Sequence, residues 1–193
     1  MVKVHNRRRK LTRCVSSVMD EARVTLRPVQ SGDEEFIFRL FAGSRPGQGW
    51  LTGLSKEEKE GFLRQQFHSE CESLLDNYPA AEFSIILLEG EPVGRFYLQR
   101  GKHEYRILAI TLLPEHRGEG IGSKLLADVL QEASELGRPV QISVAWYDNP
   151  TRSLYERLGF RILADNGIFC EMQWTPANLA DACYESCVVK SFA

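Results

Sequence analysis

Three glycines at alternate positions, Gly118, Gly120 and Gly122, follow Arg117 and open an amphipathic stretch that ends at Leu136. A single glycine would serve a tight strand–helix turn. Three of them bring bare backbone N–H groups together at a helix start, where the first N–H groups have no partner inside the helix and the dipole is positive. That arrangement grips anions, phosphates above all. Two familiar phosphate patterns do not fit. A P-loop needs Gly-x-x-x-x-Gly-Lys-Ser/Thr, but here Ser123 precedes Lys124 and the loop is too short. A dinucleotide fingerprint counted from Gly118 would need its third glycine at position 123, which is Ser123. No acidic residue follows the next strand in the required context.

The elements that must hold this bend can be read on either side of it. Glu104–Leu113 is an apolar strand leading into it, and Gly122–Leu136 is its helix, with Ile121, Leu125, Leu126, Val129, Leu130, Ala133 and Leu136 facing inward and Gly137 as the stop. Upstream, Arg23–Val29 alternates as a first strand. Ser31 with Glu34 predicts a capped helix carrying Phe36, Ile37, Leu40 and Phe41, and Ser55 with Glu58 caps a second. Between these helices lies a glycine-rich loop, Gly43–Gly53. Glu82–Leu88 and Val93–Gln99 form a hairpin about the turn Glu89–Pro92. Downstream come a strand Pro139–Trp146, a helix Thr151–Leu158 ended by Gly159, and a closing hairpin turned by Asn166–Gly167. The order β α α β β β α β α β β, with hairpins on one side and a strand–helix–strand crossover on the other, predicts an α/β sandwich around a mixed sheet of about seven strands.

The 193 residues suffice for one sizeable core, expected over 23–175, with an N-terminal extension (1–22) and a C-terminal tail (176–193). A net charge of -2 gives no reason to expect nucleic acid or an anionic membrane as partner, and the basic block Arg7–Lys10 reads as a solvated tail. No apolar run approaches the ~20 residues that span a bilayer, and the start lacks the apolar block of a signal peptide. The five cysteines (Cys14, Cys71, Cys170, Cys183 and Cys187) are scattered, without Cys-x-x-Cys or a histidine at metal-ligand spacing. No metal is expected. Reduced thiols in a cytoplasmic protein are the expectation.

The pattern that does fit the bend is Arg/Gln-x-x-Gly-x-Gly/Ala, filled by Arg117–Gly118–Glu119–Gly120–Ile121–Gly122. It resembles the acetyl-CoA signature of the GNAT acetyltransferases. Asn149–Pro150–Thr151–Arg152–Ser153–Leu154–Tyr155–Glu156–Arg157–Leu158–Gly159–Phe160 is similar to that family's second block. The resemblance covers about 23–175. It is nearest to a bacterial group that shares Gln66–Phe67, Gly94–Arg95–Phe96–Tyr97 and the run ending Pro114–Glu115–His116–Arg117–Gly118.

The resemblance implies a GNAT-type sheet with helices on both faces, and a fourth strand splayed from the fifth, usually at a bulge, to admit the pantetheine arm of acetyl-CoA. By position Ile110, Thr111 and Leu112 would offer it backbone groups, and the amides of Gly118 to Ser123 (Gly118, Glu119, Gly120, Ile121, Gly122, Ser123) would hold the pyrophosphate beside Arg117 and Lys124. Backbone N–H groups near Leu112 would polarise the thioester. Tyr155 holds the family's general-acid position, or else packs helix to sheet. Asn149 serves as a cofactor contact, a helix cap, or both. The base positions used by relatives fall on Arg106, Ala109 and Ser143, so Glu104 or solvent would take the amine's proton. Arg45 and Trp50 are the acceptor candidates, with Trp146 and Tyr147 beside the groove. The implied activity is N-acetylation of a primary amine of a small molecule or protein, by a monomer or homodimer. A protein N-terminal or lysine acetyltransferase and a non-catalytic acyl-CoA-binding regulator are the alternatives.

Overall fold

The computed structural model describes residues 24–44, 53–145, 152–177 and 179. Seven strands form one mixed sheet: β1 (Val24–Pro28), β2 (Glu82–Leu88), β3 (Glu91–Arg100), β4 (Tyr105–Leu112), β5 (Val140–Ala145), β6 (Arg161–Asp165) and β7 (Phe169–Trp174). Their spatial order is β1-β2-β3-β4-β5-β7-β6. All neighbours are antiparallel except β4 and β5, which α3 (Ile121–Glu135) connects. The remaining helices are α1 (Glu34–Ser44), α2 (Lys56–Asn77) and α4 (Arg152–Arg157). The element order is the one expected from periodicity.

The two sheet faces differ, as strand alternation requires. On one face Ile86, Phe96, Leu98, Tyr105, Ile107, Val140, Ile142, Val144 and Met172 pack with Leu125, Leu126, Val129, Leu130 and Ala133 of α3 and with Tyr155 and Phe160. On the other face Ile85 packs with Ile37, Phe38 and Phe41 of α1 and Leu63 and Phe67 of α2. Toward β5 and β7 this second face becomes polar, with Arg106, Gln141, Glu171 and Gln173 joined to one another. None of the described helices is long and apolar enough to cross a membrane.

Local details depart from expectation where a tertiary contact intervenes. Ser55 caps α2 as read, accepting from Glu58 N at 3.2 Å while Glu58 Oε2 accepts from Ser55 N at 2.7 Å. Ser31 does not cap α1. Arg27 holds Asp33 through two hydrogen bonds of 2.7 Å, and Asp33 Oδ2 accepts from Gln30 N at 2.8 Å. The chain therefore enters by a short 3-10 turn, Ser31–Asp33, and Glu34 becomes the first α-helical residue. Phe38 joins the buried face of α1, Phe36 is partly buried against the same cluster, and Leu136 is exposed, α3 ending one residue before it.

Candidate functional site

β4 and β5 are paired only over Tyr105↔Val140, Arg106↔Gln141 and Ile107↔Ile142. Beyond Ile107 the two strands part, β4 staying with β3 and β5 with β7. The parting begins at a bulge. Against β3, Tyr97 pairs with Ala109 and Leu98 with Ile107, so Leu108 is the extra residue on β4. What the strand offers after the bulge follows from its ladder. Leu113 N donates to Val93 O at 2.9 Å. Antiparallel pairs alternate between bonded and non-bonded, so Thr111 and Ala109 also spend their main-chain groups on β3. Ile110 and Leu112 turn theirs toward the gap, while their side chains pack on the α3 core. The expected contribution of Thr111's backbone is thereby corrected: its amide and carbonyl face Arg95 on β3, its register partner.

The glycine bend closes one end of this gap. Gly118 and Gly120 have φ of +82 and +84, where an L side chain is strained, whereas Gly122 is ordinary helix. Gly120 is the N-cap of α3, makes no side-chain cap, and is followed by no acidic residue in the first turn. Its carbonyl already accepts from Lys124 N at 3.0 Å. The N–H groups of Ile121, Gly122 and Ser123 therefore fan out from an uncapped positive helix end. Arg117 is bound in place there, its Nε donating to Leu112 O at 3.0 Å on the open side of β4. Ile110, Leu112, Arg117, Gly118, Glu119, Gly120, Ile121, Gly122 and Ser123 are thus gathered at one end of the gap.

The other predicted residues stand elsewhere. Tyr155 lies on α4, buried in the main core with its ring edge-on to Phe160 at 5.7 Å. Glu104 precedes β4 at the end remote from the bend, about 20 Å from Ile110 by strand rise. Its Oε2 accepts from Gln141 Nε2 at 2.7 Å, and Arg106 lies 3.8 Å away. Glu104 is thus tied into the polar strip, at the end of β4 away from the bend. Arg45, Trp50, Trp146, Tyr147 and Asn149 fall outside the described residues.

Two features carried no role in the sequence reading. One is Leu108, the residue on which the strand's bulge falls. The other is Arg95, whose side chain is 5% exposed and whose Nη2 bonds Glu70 Oε1 of α2 at 3.0 Å. Its Nε and Nη1 meet no hydrogen-bond acceptor among the described residues. Tyr97 stands next along the same face, its ring centroid 5.2 Å from the Arg95 Cζ. Burial pushes the Tyr97 hydroxyl up, and the guanidinium pulls it partway back. Burial likewise pushes up the Cys71 thiol on α2. A charged residue amid the apolar run of β3, two places from Tyr97, was the available signal.

Residues 49–160 match the sequence model of the Acetyltransferase (GNAT) family. No curated protein matches the sequence. Among solved structures, the chain is similar to the PaiA N-acetyltransferase of Thermoplasma acidophilum in complex with coenzyme A, with TM-score 0.56 and 19% identity over 79% of this chain and 98% of that one. It is also similar to an acetyltransferase of Thermus thermophilus (TM-score 0.56, 20% identity, 79% and 97% covered). Ard1 of Thermoplasma volcanium gives TM-score 0.52 at 23% identity, with 79% and 97% covered. These likenesses establish the fold.

Proposed function

Since the chain belongs to the GNAT acetyltransferase family, we propose that it is an acetyl-CoA-dependent N-acetyltransferase acting on a primary amine, with residues 23–175 as its domain. The observation that carries this reading is the opening of β4 from β5 at Leu108, next to an uncapped, glycine-bent helix start. An amide-bearing arm finds strand-like partners in Ile110 and Leu112, and a pyrophosphate finds the N–H fan of Gly118 to Ser123, with Arg117 adding charge at the mouth. The PaiA neighbour was crystallised with coenzyme A, which supports the same ligand class here. Asn149 is assigned to the arm, and Arg45 and Trp50 to the acceptor.

Bound acetyl-CoA supplies an activated acyl carbon. The amine nitrogen bonds to that carbon, the C–S bond breaks, and the sulfur leaves with the bonding pair and takes a proton. The free main-chain groups of β4 set where this happens. With the pyrophosphate at the bend, the far end of the arm belongs near the bulge, so Ile110 N–H rather than Leu112 N–H is the group we assign to the thioester oxygen. Tyr155 is assigned as the proton donor to sulfur. With Glu104 remote, the amine's proton is assigned to solvent, which the polar face of β4, β5 and β7 admits.

Free-thiol release from acetyl-CoA over a panel of primary amines tests the proposal. Acceptor-dependent release, cut in Tyr155→Phe with acetyl-CoA affinity retained, is expected. Tight acetyl-CoA binding without release for any amine would make the protein an acyl-CoA-binding regulator instead.

A further inference from the structure

Three arginines of this fold each hold two carboxylates, whereas Arg27 holds Asp33. Arg64 joins Glu35 (3.1 Å) and Glu60 (2.8 Å), Arg100 joins Glu82 and Glu132, and Arg106 lies between Glu104 (3.8 Å) and Glu171 (3.6 Å). All three are substantially exposed, so water could have served them. Arg95 is by far the most buried of these and holds one carboxylate, Glu70, with Nε and Nη1 unmet. A buried guanidinium donor without an acceptor is costly, more so than an exposed one. Such groups call for a partner.

The position of Arg95 indicates which partner. Directly opposed residues share a sheet face, so Arg95 lies beside Thr111, and Tyr97 beside Ala109, on the face away from α3. Ala109 and Thr111 flank Ile110, whose main-chain groups face the gap. Arg95 therefore stands one strand from the acyl site, on the side covered by α1 and α2, whereas the cofactor-binding bend belongs to the α3 side.

Resting on the acetyltransferase reading above, we propose that the acceptor is an amine that also carries a carboxylate, and that Arg95 receives this carboxylate as the second member of its pair. Glu70 holds the guanidinium in place and leaves Nε and Nη1 for the ligand. A guanidinium presents five donors in a fixed fork, so bridging two carboxylates is within its geometry. The acceptor class is thus amino-carboxylic: free amino acids or chains with an acidic group near the amine, rather than simple alkylamines.

The test uses the full chain, acetyl-CoA and paired acceptors: the standard α-amino acids, β-alanine and γ-aminobutyrate, each beside its carboxamide and its carboxylate-free amine. The best acid should exceed its carboxamide in kcat/KM on the order of 10- to 100-fold, the loss typical of a hydrogen bond to a charged group. In the double variant Arg95→Gln, Glu70→Gln, which removes the buried guanidinium together with its half-buried partner charge, that ratio should collapse toward one, chiefly through KM. Should this variant fail to fold, the wild-type ratio decides alone. Equal use of acids and carboxamides, or a preference that survives in the variant, overturns the inference. Thiol release with carboxylate-free amines only overturns it too, and leaves the acetyltransferase reading standing. Silence with every amine overturns both.

Discussion

Gly94 sits on β3 opposite Leu112, and a Cβ built there would lie 2.4 Å from Thr111 O, 2.8 Å from Leu112 Cδ2 and 3.1 Å from Ile86 Cδ1. The first of these is backbone and cannot swing aside. In Gly94→Ala the strands must separate locally by roughly an ångström, and the atom displaced is the carbonyl that Thr111 presents to β3. Overpacking of this kind costs about 1–3 kcal/mol, and a weakened ladder hydrogen bond adds about 1 kcal/mol. The smaller entropy of the unfolded alanine chain offsets about 0.4–1 kcal/mol. A net loss of roughly 2–3 kcal/mol corresponds to a fall in Tm of roughly 4–12 °C for a chain of this size. The displacement drives the end of β4 into the gap, so affinity for CoA should fall together with stability. Thermal unfolding and titration calorimetry with CoA measure the two. A Tm within a degree or two of wild type would refute the close-approach argument. A large fall in Tm with unchanged CoA affinity would refute the placement of the arm beside Ile110 and Leu112.

Gly120→Ala meets no atom within 4 Å, so its cost is the left-handed backbone alone, about 1–2 kcal/mol; CoA affinity should drop because the bend re-aims the first-turn amides, and unaltered affinity would sink the anion-site assignment. Gly122→Ala, whose Cβ would sit in ordinary contact 3.7 Å from Ile110 Cδ1, should instead raise Tm, since alanine is favoured over glycine in a helix by about 1 kcal/mol; a lower Tm in the apo protein would show that the first turn is more crowded than described. The Arg27 pair holds the Asp33 carboxyl below its ordinary 3.8. Its stabilisation is therefore complete above the unfolded value and is lost as pH falls from there toward the depressed folded one. The urea midpoint of wild type should drop more steeply between pH 5 and 3 than that of Asp33→Asn, and parallel curves would remove this pair from the acid limb.

The order of elements was legible because each hydrophobic period is local: Val140, Ile142 and Val144 alternate, and the α3 stripe repeats at helical spacing. The Ser55 cap was legible for the same reason. Ser31 misled because the contact that decides the entry to α1 comes from Arg27 on β1. The glycine bend was visible as a motif, but only the structure separates Gly118 and Gly120, which need positive φ, from Gly122, which does not. The residue at which β4 bulges was not legible. Leu108 is as apolar as its neighbours, and a bulge is a relation between two strands rather than a property of one. Arg95 was quoted within a motif, yet its unmet donors depend on α2 reaching across with Glu70.

The extra residue at Leu108 acts on β4 as a change of phase. Before it, Tyr105 and Ile107 face the α3 core with their side chains and β5 with their amides; after it, Ile110 and Leu112 face that core and open their amides on the gap, and Ala109 and Thr111 fall on the side of α1 and α2. A one-residue shift exchanges the faces of everything downstream. Deleting Leu108 would remove the bulge and leave Ala109 to Leu112 on their present faces, whereas deleting Ile110 with the bulge kept would turn Leu112 outward and put Thr111 under α3. Substitution and deletion are unequal events in this strand: variation in side chains tunes the face under α1 and α2, whereas variation in length rewrites which backbone groups open on the gap.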